Sequence, residues 1–239
     1  MKIVSWNILA DEFIEKNDYA MLTPQVLFNR TERQDHIMQI LYGLDADIML
    51  LQEVMQAEYD LLVKIFGQSF IIIRGANMCW YNKPSQSGNV TLLRKTFFRD
   101  IQAMDLDFGL VVKCRALKRG SLTIINVHLD DRSYRKRISS IESLAPFVSV
   151  EPRVILGGDF NQDYEFASKL YEVIRTMGFQ TYQLKGATYY IEKNMSIDHI
   201  MTKGLNGKEM QQVNNFNNDI FQQFKTYGSD HLPILLNIY

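Results

Sequence analysis

The stretch that most constrains this chain is Arg153 to Asn161, RVILGGDFN. Arg153-Val154-Ile155-Leu156 is a short apolar run and reads as a buried strand. Gly157 and Gly158 then let the backbone turn sharply and come close to a neighbour. Asp159 and Asn161 follow, one residue apart. A carboxylate and a carboxamide at the end of a core strand are held stiffly, as catalytic groups must be. Asp can accept a proton or bind a metal, and Asn can both donate and accept hydrogen bonds. A plain strand followed by an Asx turn has the same appearance, so the weight rests on what accompanies the motif.

The same pattern, an apolar run ending in a polar residue, recurs along the chain. Lys2 to Trp6 alternates as a strand does and ends in Asn7. Asp47 to Leu51 is a second buried strand, continued by Gln52 and Glu53. Glu is rarely buried without a partner, so Glu53 needs a cation, either a basic side chain or a metal. Ile124 to Val127 ends in His128. Met195 to Met201 reads as a strand carrying Asp198 and His199. Gly228-Ser229-Asp230-His231-Leu232-Pro233 precedes a last strand, Ile234 to Tyr239.

Helices fall between these runs. Arg30 to Leu44 has Ile37, Ile40, Leu41 and Leu44 at helical spacing, with Thr31 as cap and Arg33 and His36 on the solvent side. Ala57 to Phe66, Asp130 to Val148 and Tyr164 to Met177 are the other helices. Short strands are expected at Phe70–Ile73, Met78–Tyr81, Asn89–Leu93, Thr96–Phe98, Leu110–Cys114, Leu122–Val127 and Ala187–Ile191. Trp80 and Tyr81 fit either a core or a base-stacking role. Gly204 to Lys225 is polar and reads as a long surface loop. There is no repeat, linker or domain boundary, so residues 1–239 read as one α/β domain.

Composition sets limits on function. A hydrophobic content of 46% excludes wholesale disorder. A net charge of −1 is unlike a general polyanion binder, so nucleic-acid contacts should be local. Two cysteines, Cys79 and Cys114, fit a reducing compartment. No stretch has the apolar length of a membrane span. MKIVSWN enters a strand pattern directly, with no signal peptide, which makes an intracellular location the expectation. No protein partner is implied.

Asn7, Glu53, His128, Asp159, Asn161, Asp198, Asp230 and His231 all sit at apolar-to-polar transitions, where α/β sheets place active sites. Several carboxylates suit a hard cation such as Mg2+. Zinc is disfavoured, because no Cys/His cluster has zinc spacing. Histidines supply acid, base or oxyanion contacts. Together the set makes a hydrolytic phosphodiesterase site. Arg132 and its basic neighbours either touch phosphate or line a solvated helix face.

The motifs SWNIL, LQEV, NVHL, GGDFN, SIDHI and SDHLP, in that order, resemble the endonuclease/exonuclease/phosphatase superfamily, the group containing deoxyribonuclease I. The resemblance runs from Asn7 to His231. It implies a four-layered α/β sandwich of two packed mixed β-sheets flanked by helices. It also implies Mg2+, with Mn2+ as a substitute, held by Glu53 with Asn7 and Asp230. Asp159 would orient and deprotonate the attacking water, and Asn161 would hold phosphate or that water. His231 would contact a non-bridging phosphate oxygen, with Asp198 fixing its tautomer. His128 would stabilise the transition state or protonate the leaving oxygen. His199 should point to the opposite face of its strand and take no part.

Departures narrow the branch. Leu9 stands where abasic-site endonucleases and tyrosyl-DNA phosphodiesterases carry Asp. Asn161-Gln162-Asp163 and Asp198-His199 differ from the inositol polyphosphate phosphatase motifs. Asn7-Ile8-Leu9-Ala10-Asp11, with Arg30 and Arg33 ahead of Ala46-Asp47-Ile48, is similar to the deadenylase/nocturnin group. A 3′-exoribonuclease is therefore the preferred expectation, with a nucleic acid or nucleotide as substrate. Alternatives are a DNA nuclease or repair phosphodiesterase, a small nucleotide or lipid phosphodiesterase, and a non-catalytic binding module.

Overall fold

Strand β1 (Lys2–Asn7) is apolar on both faces because both are covered. Ile3 points into one core while Val4 points into another. The same split recurs in β2 (Ile48–Val54), where Ile48 and Leu50 face one way and Met49 and Leu51 the other. This computed structural model describes residues 1–14, 29–80, 83–163, 168–184, 186–189, 195–208, 210–213 and 220–239.

The remaining strands are β3 (Phe70–Trp80), β4 (Lys83–Arg94), β5 (Phe98–Leu106), β6 (Gly109–Ala116), β7 (Gly120–His128) and β8 (Val154–Asp159). They are followed by β9 (Gln180–Thr181), β10 (Asp198–Lys203), β11 (Gln211–Gln212) and β12 (Ile234–Asn237). Helices are α1 (Asp11–Ile14), α2 (Arg30–Leu44), α3 (Gln56–Phe66), α4 (Tyr134–Glu142), α5 (Ala145–Val148), α6 (Ser168–Thr176) and α7 (Ile220–Tyr227).

Among the described residues these form two mixed six-stranded sheets, ordered β11-β12-β1-β2-β4-β3 and β5-β6-β7-β8-β10-β9. Ile3, Ile48 and Leu50 of the first meet Val112, Ile124, Ile155 and Ile200 of the second in a central core. Outer cores lie under α2 and α3 on one side and under α4, α5 and α6 on the other. This is the four-layered sandwich that was expected. Among the described residues, no helix is long and apolar enough to cross a membrane.

The sheets are also joined by polar side chains. Asn126 of β7 accepts from Gln52 Nε2 at 2.7 Å. Its own amide lies 3.1 Å from the carbonyls of both Leu51 and Val90. Asn89 donates to the Asn126 carbonyl at 2.9 Å. Buried amides that satisfy one another fix register more firmly than apolar contact does. They hold the sheets at a set spacing just below the strand ends.

The two halves repeat one plan that the sequence does not show. β12-β1-β2-β4-β3 and β6-β7-β8-β10-β9 share one order, with a parallel central pair and antiparallel flanks. In each half a helix follows the first central strand and packs on the outer face.

Several expectations need correction. The glycine pair does not turn the chain. β8 runs straight through it, and the close approach is real: a Cβ on Gly158 (φ +144°) would lie 1.9 Å from the Val127 carbonyl oxygen. Phe70–Ile73 and Met78–Tyr81 belong to one long strand, β3, and Tyr81 itself lies outside the described residues. β5 was not anticipated beyond Phe98, because it is an edge strand whose residues are mostly exposed and carry no alternation. Asp130–Val148 is two helices, interrupted at Ser143-Leu144 ahead of Pro146. Gly204–Lys225 contains β11 and most of α7 rather than loop alone. Positions 164–167, 190–191, 209 and 214–219 of the expected elements lie outside the described residues. The cap of α2 is Asn29, which accepts from the Glu32 amide, not Thr31. Arg33 is 4% exposed and faces inward, not to solvent.

Candidate active site

All the polar strand ends meet at one end of the sandwich. β1, β2, β7 and β8 run the same way within their parallel pairs and finish there with Asn7, Glu53, His128 and Asp159. β10 is antiparallel to β8, so its first residue, Asp198, lies opposite Asp159. β12 is antiparallel to β1, so Asp230 and His231, just before it, arrive at the same place. Glu53 sits at a register shift between Leu51 and Val54 with φ +59°. A non-glycine residue in that region is uncommon, and it re-aims the carboxylate out of the strand's regular alternation.

The side chains form one network. Asn7 Nδ2 donates to Glu53 Oε1 at 2.8 Å and to Asp159 Oδ2 at 3.0 Å. The Ala10 amide donates to Glu53 Oε2 at 2.9 Å, and the Leu9 amide to Asn7 Oδ1 at 3.0 Å. Asn161 (φ +49°) donates its backbone N–H to Asp159 Oδ1 at 2.8 Å. Its side-chain amide binds the Leu129 carbonyl at 2.8 Å. His231 Nδ1 lies 2.8 Å from Asp198 Oδ2, and its Nε2 lies 3.7 Å from Asp159 Oδ2 and 4.0 Å from Asp230 Oδ1. His128 Nε2 lies 3.6 Å from Asp159 Oδ2 and 3.8 Å from Glu53 Oε1. The Thr188 hydroxyl accepts the amides of Ile197 and Asp198, holding the start of β10. Ser229 Oγ donates to the Asn7 carbonyl at 2.8 Å and ties the Asp230 loop to β1.

Burial and charge set the protonation states. Burial, then the Asp230 carboxylate, raises Glu53 to about 7. Burial, then Asp198, raises Asp159 to about 7. Burial, then the neighbouring His231, lowers His128 to about 3. Burial alone would lower His231 too, but Asp198, Asp230 and Asp159 outweigh it and carry it well above its ordinary value. The two imidazoles are thus pushed in opposite directions, His231 towards the cation and His128 towards the neutral form, although His128 stands at ion-pair distance from two carboxylates. Placing like groups in opposite states is how a site assigns different tasks to them.

Glu53, Asp159, Asp198 and Asp230 together outnumber the single imidazolium. A hard divalent cation with oxygen ligands would supply the counter-charge that Glu53 and Asp159, raised to about 7 by burial, otherwise lack. Asp159, Asp198 and His231 offer ligand atoms within 4.8 Å of one another. Asp198 Oδ2, however, is already engaged by His231 Nδ1, so that pair is better described as a dyad than as two open ligands. The carboxylates of Glu53 and Asp230, close enough for one to raise the other, are the better seat, with Asn7 orienting Glu53 through its amide nitrogen.

Of the residues singled out in sequence, Asn7, Glu53, His128, Asp159, Asp198, Asp230 and His231 come together. Asn161 flanks them through Asp159. Arg132 does not join the buried cluster: its side chain is 73% exposed on the loop after β7 and pairs with Asp131. His199 faces the other way, as expected. It packs edge-on to Phe160 and Tyr171 and meets the Gln162 carbonyl at 3.2 Å. Arg33, Arg137, Thr188 and Ser229 were missed. Arg33 entered the sequence reading as part of a family likeness, and its helical position pointed to solvent. Tyr189 was expected only as a strand residue, and its ring lies 4.9 Å from that of His231.

A family model described as the Endonuclease/Exonuclease/phosphatase family matches residues 4–231. No curated protein sequence matches the chain. Among solved structures, an endonuclease/exonuclease/phosphatase from Bacteroides vulgatus superposes with a TM-score of 0.75 at 19% identity, covering 100% of this chain and 98% of that one. ANGEL2, a 2′,3′-cyclic phosphatase in complex with adenosine-2′,3′-vanadate, gives 0.75 at 16% identity, covering 99% and 94%. A mannosyl-6-phosphatase from Bacteroides thetaiotaomicron gives 0.69 at 14% identity, covering 100% and 99%.

Proposed function

The chain belongs to the endonuclease/exonuclease/phosphatase family, and we propose that it is a divalent-metal-dependent phosphodiesterase acting at the 3′ end of RNA. The observation that carries the proposal is the His231–Asp198 dyad facing Asp159 across 3.7 Å, with Asn7 binding Asp159 and Glu53 together. That arrangement supports a reading in which a cation, a base and an oxygen-rich seat surround one gap.

Glu53, Asn7 and Asp230 would hold Mg2+, or Mn2+ in its place, which when bound supplies Lewis-acid stabilisation of charge on the phosphate. Asp159, raised towards neutrality, takes the proton of the attacking water as its oxygen forms the new bond to phosphorus, while the bond from phosphorus to the leaving oxygen breaks and that oxygen takes its proton from solvent water. Asn161 keeps the Asp159 carboxylate in place through its backbone N–H. His231, charged through Asp198, donates from Nε2 to a non-bridging oxygen of the phosphate. His128 is neutral, so it serves as a hydrogen-bond donor to the transition state rather than as an acid for the leaving oxygen. Residues 1–239 act as one catalytic domain in an intracellular setting that leaves Cys79 and Cys114 as thiols.

The choice of RNA rests on the NILAD opening and draws support from ANGEL2, whose fold is shared and whose bound ligand is an adenosine 2′,3′-vanadate. A second reading, a small phosphoester such as a nucleotide, draws on the net charge of −1 and on Asp130 and Asp131 in the loop that follows His128.

The test uses 5′-labelled oligo(A) RNA ending in a 3′-hydroxyl or a 2′,3′-cyclic phosphate, and the matching DNA. Each is incubated with Mg2+ or EDTA, with Asp159→Asn as control. A Mg2+-dependent ladder on RNA, absent in the variant, is expected. Opening of the cyclic phosphate without shortening would make the protein an end-processing enzyme. Cleavage of DNA would move it to the deoxyribonuclease branch. No cleavage of any of them would remove nucleic acid as the substrate.

A further inference from the structure

Arg33 is buried at the active-site end, yet it belongs to none of the groups that face the gap. Its Nη1 lies 3.0 Å from the Ile8 carbonyl, 2.8 Å from the Leu9 carbonyl and 3.0 Å from the Gly228 carbonyl. Its Nη2 meets Asp11 Oδ1 at 2.5 Å and Glu58 Oε1 at 3.8 Å, which supplies the counter-charge.

What matters is the other end of the same peptide units. The Ile8 carbonyl shares a planar peptide with the Leu9 N–H, which donates to Asn7 Oδ1. The Leu9 carbonyl shares one with the Ala10 N–H, which donates to Glu53 Oε2. Arg33 therefore grips the oxygen ends of two peptide planes whose nitrogen ends hold Asn7 and Glu53. Leu9 has φ +59°, an uncommon backbone state for a branched residue, so something must hold this loop in shape. The Gly228 contact ties the same guanidinium to the loop leading into Asp230 and His231. Gly228 is needed there: at φ +71° its Cβ would lie 2.8 Å from Arg33 Cγ.

The other half of the fold repeats the device. Arg137 is the fourth residue of α4, as Arg33 is of α2, and both helices follow the first central strand of their half. Arg137 Nη1 binds the consecutive carbonyls of Asp130 and Asp131 at 2.8 and 3.2 Å, and Nη2 binds Gln162 Oε1 at 2.9 Å. It joins the loop after His128 to the loop after Asp159.

We propose that Arg33 is a positioning residue that sets Asn7 and Glu53 by clamping the Ile8–Leu9 and Leu9–Ala10 peptides, and that Arg137 is its counterpart beside His128 and Asp159. The catalytic consequence rests on the metal-dependent reading above. The clamp itself does not, so it can be tested without turnover. The planar fork lets Nη1 meet the carbonyls while Nη2 is held by Asp11, two tasks that the single ammonium of lysine cannot perform at once.

The experiment compares wild type, Arg33→Lys and Asp11→Asn. Arg94→Lys serves as control, because Arg94 grips the Ala46 carbonyl and Asp45 at the opposite end of the sheets. Three quantities are read: amide hydrogen exchange at Leu9 and Ala10, Mn2+ affinity without substrate, and kcat against KM. In Arg33→Lys, exchange at those two amides should rise about tenfold or more, and Mn2+ affinity should fall by about 10-fold or more, as outer-shell losses do. kcat should fall with KM within about twofold. Asp11→Asn should show the same pattern, weakened to about threefold. Arg94→Lys should lower the urea midpoint and leave all three quantities unchanged. Wild-type exchange at Leu9 and Ala10 in both Asp11→Asn and Arg33→Lys would overturn the proposal. So would a loss of stability without a change in exchange. If Arg33→Lys does not fold, Asp11→Asn decides alone. Absence of Mn2+ binding to wild type would instead refute the metal reading, leaving the exchange result to judge the clamp.

Discussion

His199 offers a sharp test, because it is adjacent to Asp198 in sequence and yet assigned no catalytic part. It is buried on the outer face of β10 between Phe160 and Tyr171. Burial lowers it from 6.5 to about 4 despite the Gln162 carbonyl and nearby carboxylates. Above pH 6.5 it is neutral whether the chain is folded or not. Below 6.5 the unfolded chain takes up a proton that folded His199 refuses until about pH 4. Stability attributable to this residue is therefore intact above pH 6.5 and lost progressively between 6.5 and 4. At about 1.4 kcal/mol per pH unit of separation, the loss amounts to about 3 kcal/mol. His199→Gln keeps a nitrogen donor for the Gln162 carbonyl and removes the titration. It sacrifices the two ring contacts at a pH-independent cost of about 1–2 kcal/mol. Urea unfolding of both proteins from pH 7.5 to pH 4 isolates the term, since Glu53, Asp159 and His128 contribute alike to each. The stability gap should close, and then reverse, as pH falls. A gap that stays constant would show that His199 is not held neutral. A fall in kcat of tenfold or more at pH 7 would show that the wrong histidine was given to the mechanism.

The remaining expectations concern the site and its scaffold. Asp198→Asn removes the carboxylate that charges His231, and should cost about 100- to 1000-fold in kcat with little change in KM; a steady-state rate near wild type would dissolve the dyad. Glu53→Gln should abolish Mg2+-dependent turnover and Mn2+ binding, since the amide removes the anionic oxygens and leaves only one acceptor for Asn7 and Ala10. Retained Mg2+ dependence would relocate the metal. Gly158→Ala puts a Cβ 1.9 Å from the Val127 carbonyl oxygen. It should cost about 3 kcal/mol or more through forced separation of β7 and β8, and a wild-type denaturation curve would contradict the spacing of that strand pair.

The amino-acid sequence by itself determined the strand ends. An apolar run that closes on Asn7, Glu53, His128 or Asp159 is local information, because burial selects the run and chemistry selects its last residue. Six such motifs in order were enough to name the fold family and the side chains that converge. The helix over Arg30 to Leu44 was equally legible from its periodicity. Edge strand β5 was not, since an exposed edge exerts little selection on side-chain pattern. The glycine pair showed that something comes close, but whether the chain turned or ran straight depended on the neighbouring strand, β7. Tertiary structure alone decided what Arg33 does. On a helical wheel it reads as a solvent-facing cation. In the fold its guanidinium reaches carbonyls 24, 25 and 195 positions away in sequence. Tertiary structure alone also decided the opposite shifts of His128 and His231. Both end up buried, and the three-dimensional placement of Asp198, Asp230 and Asp159 around one imidazole separates them. The pseudo-repeat of the two halves belongs to the same category, because strand order and helix placement can recur without any residue pattern that records it.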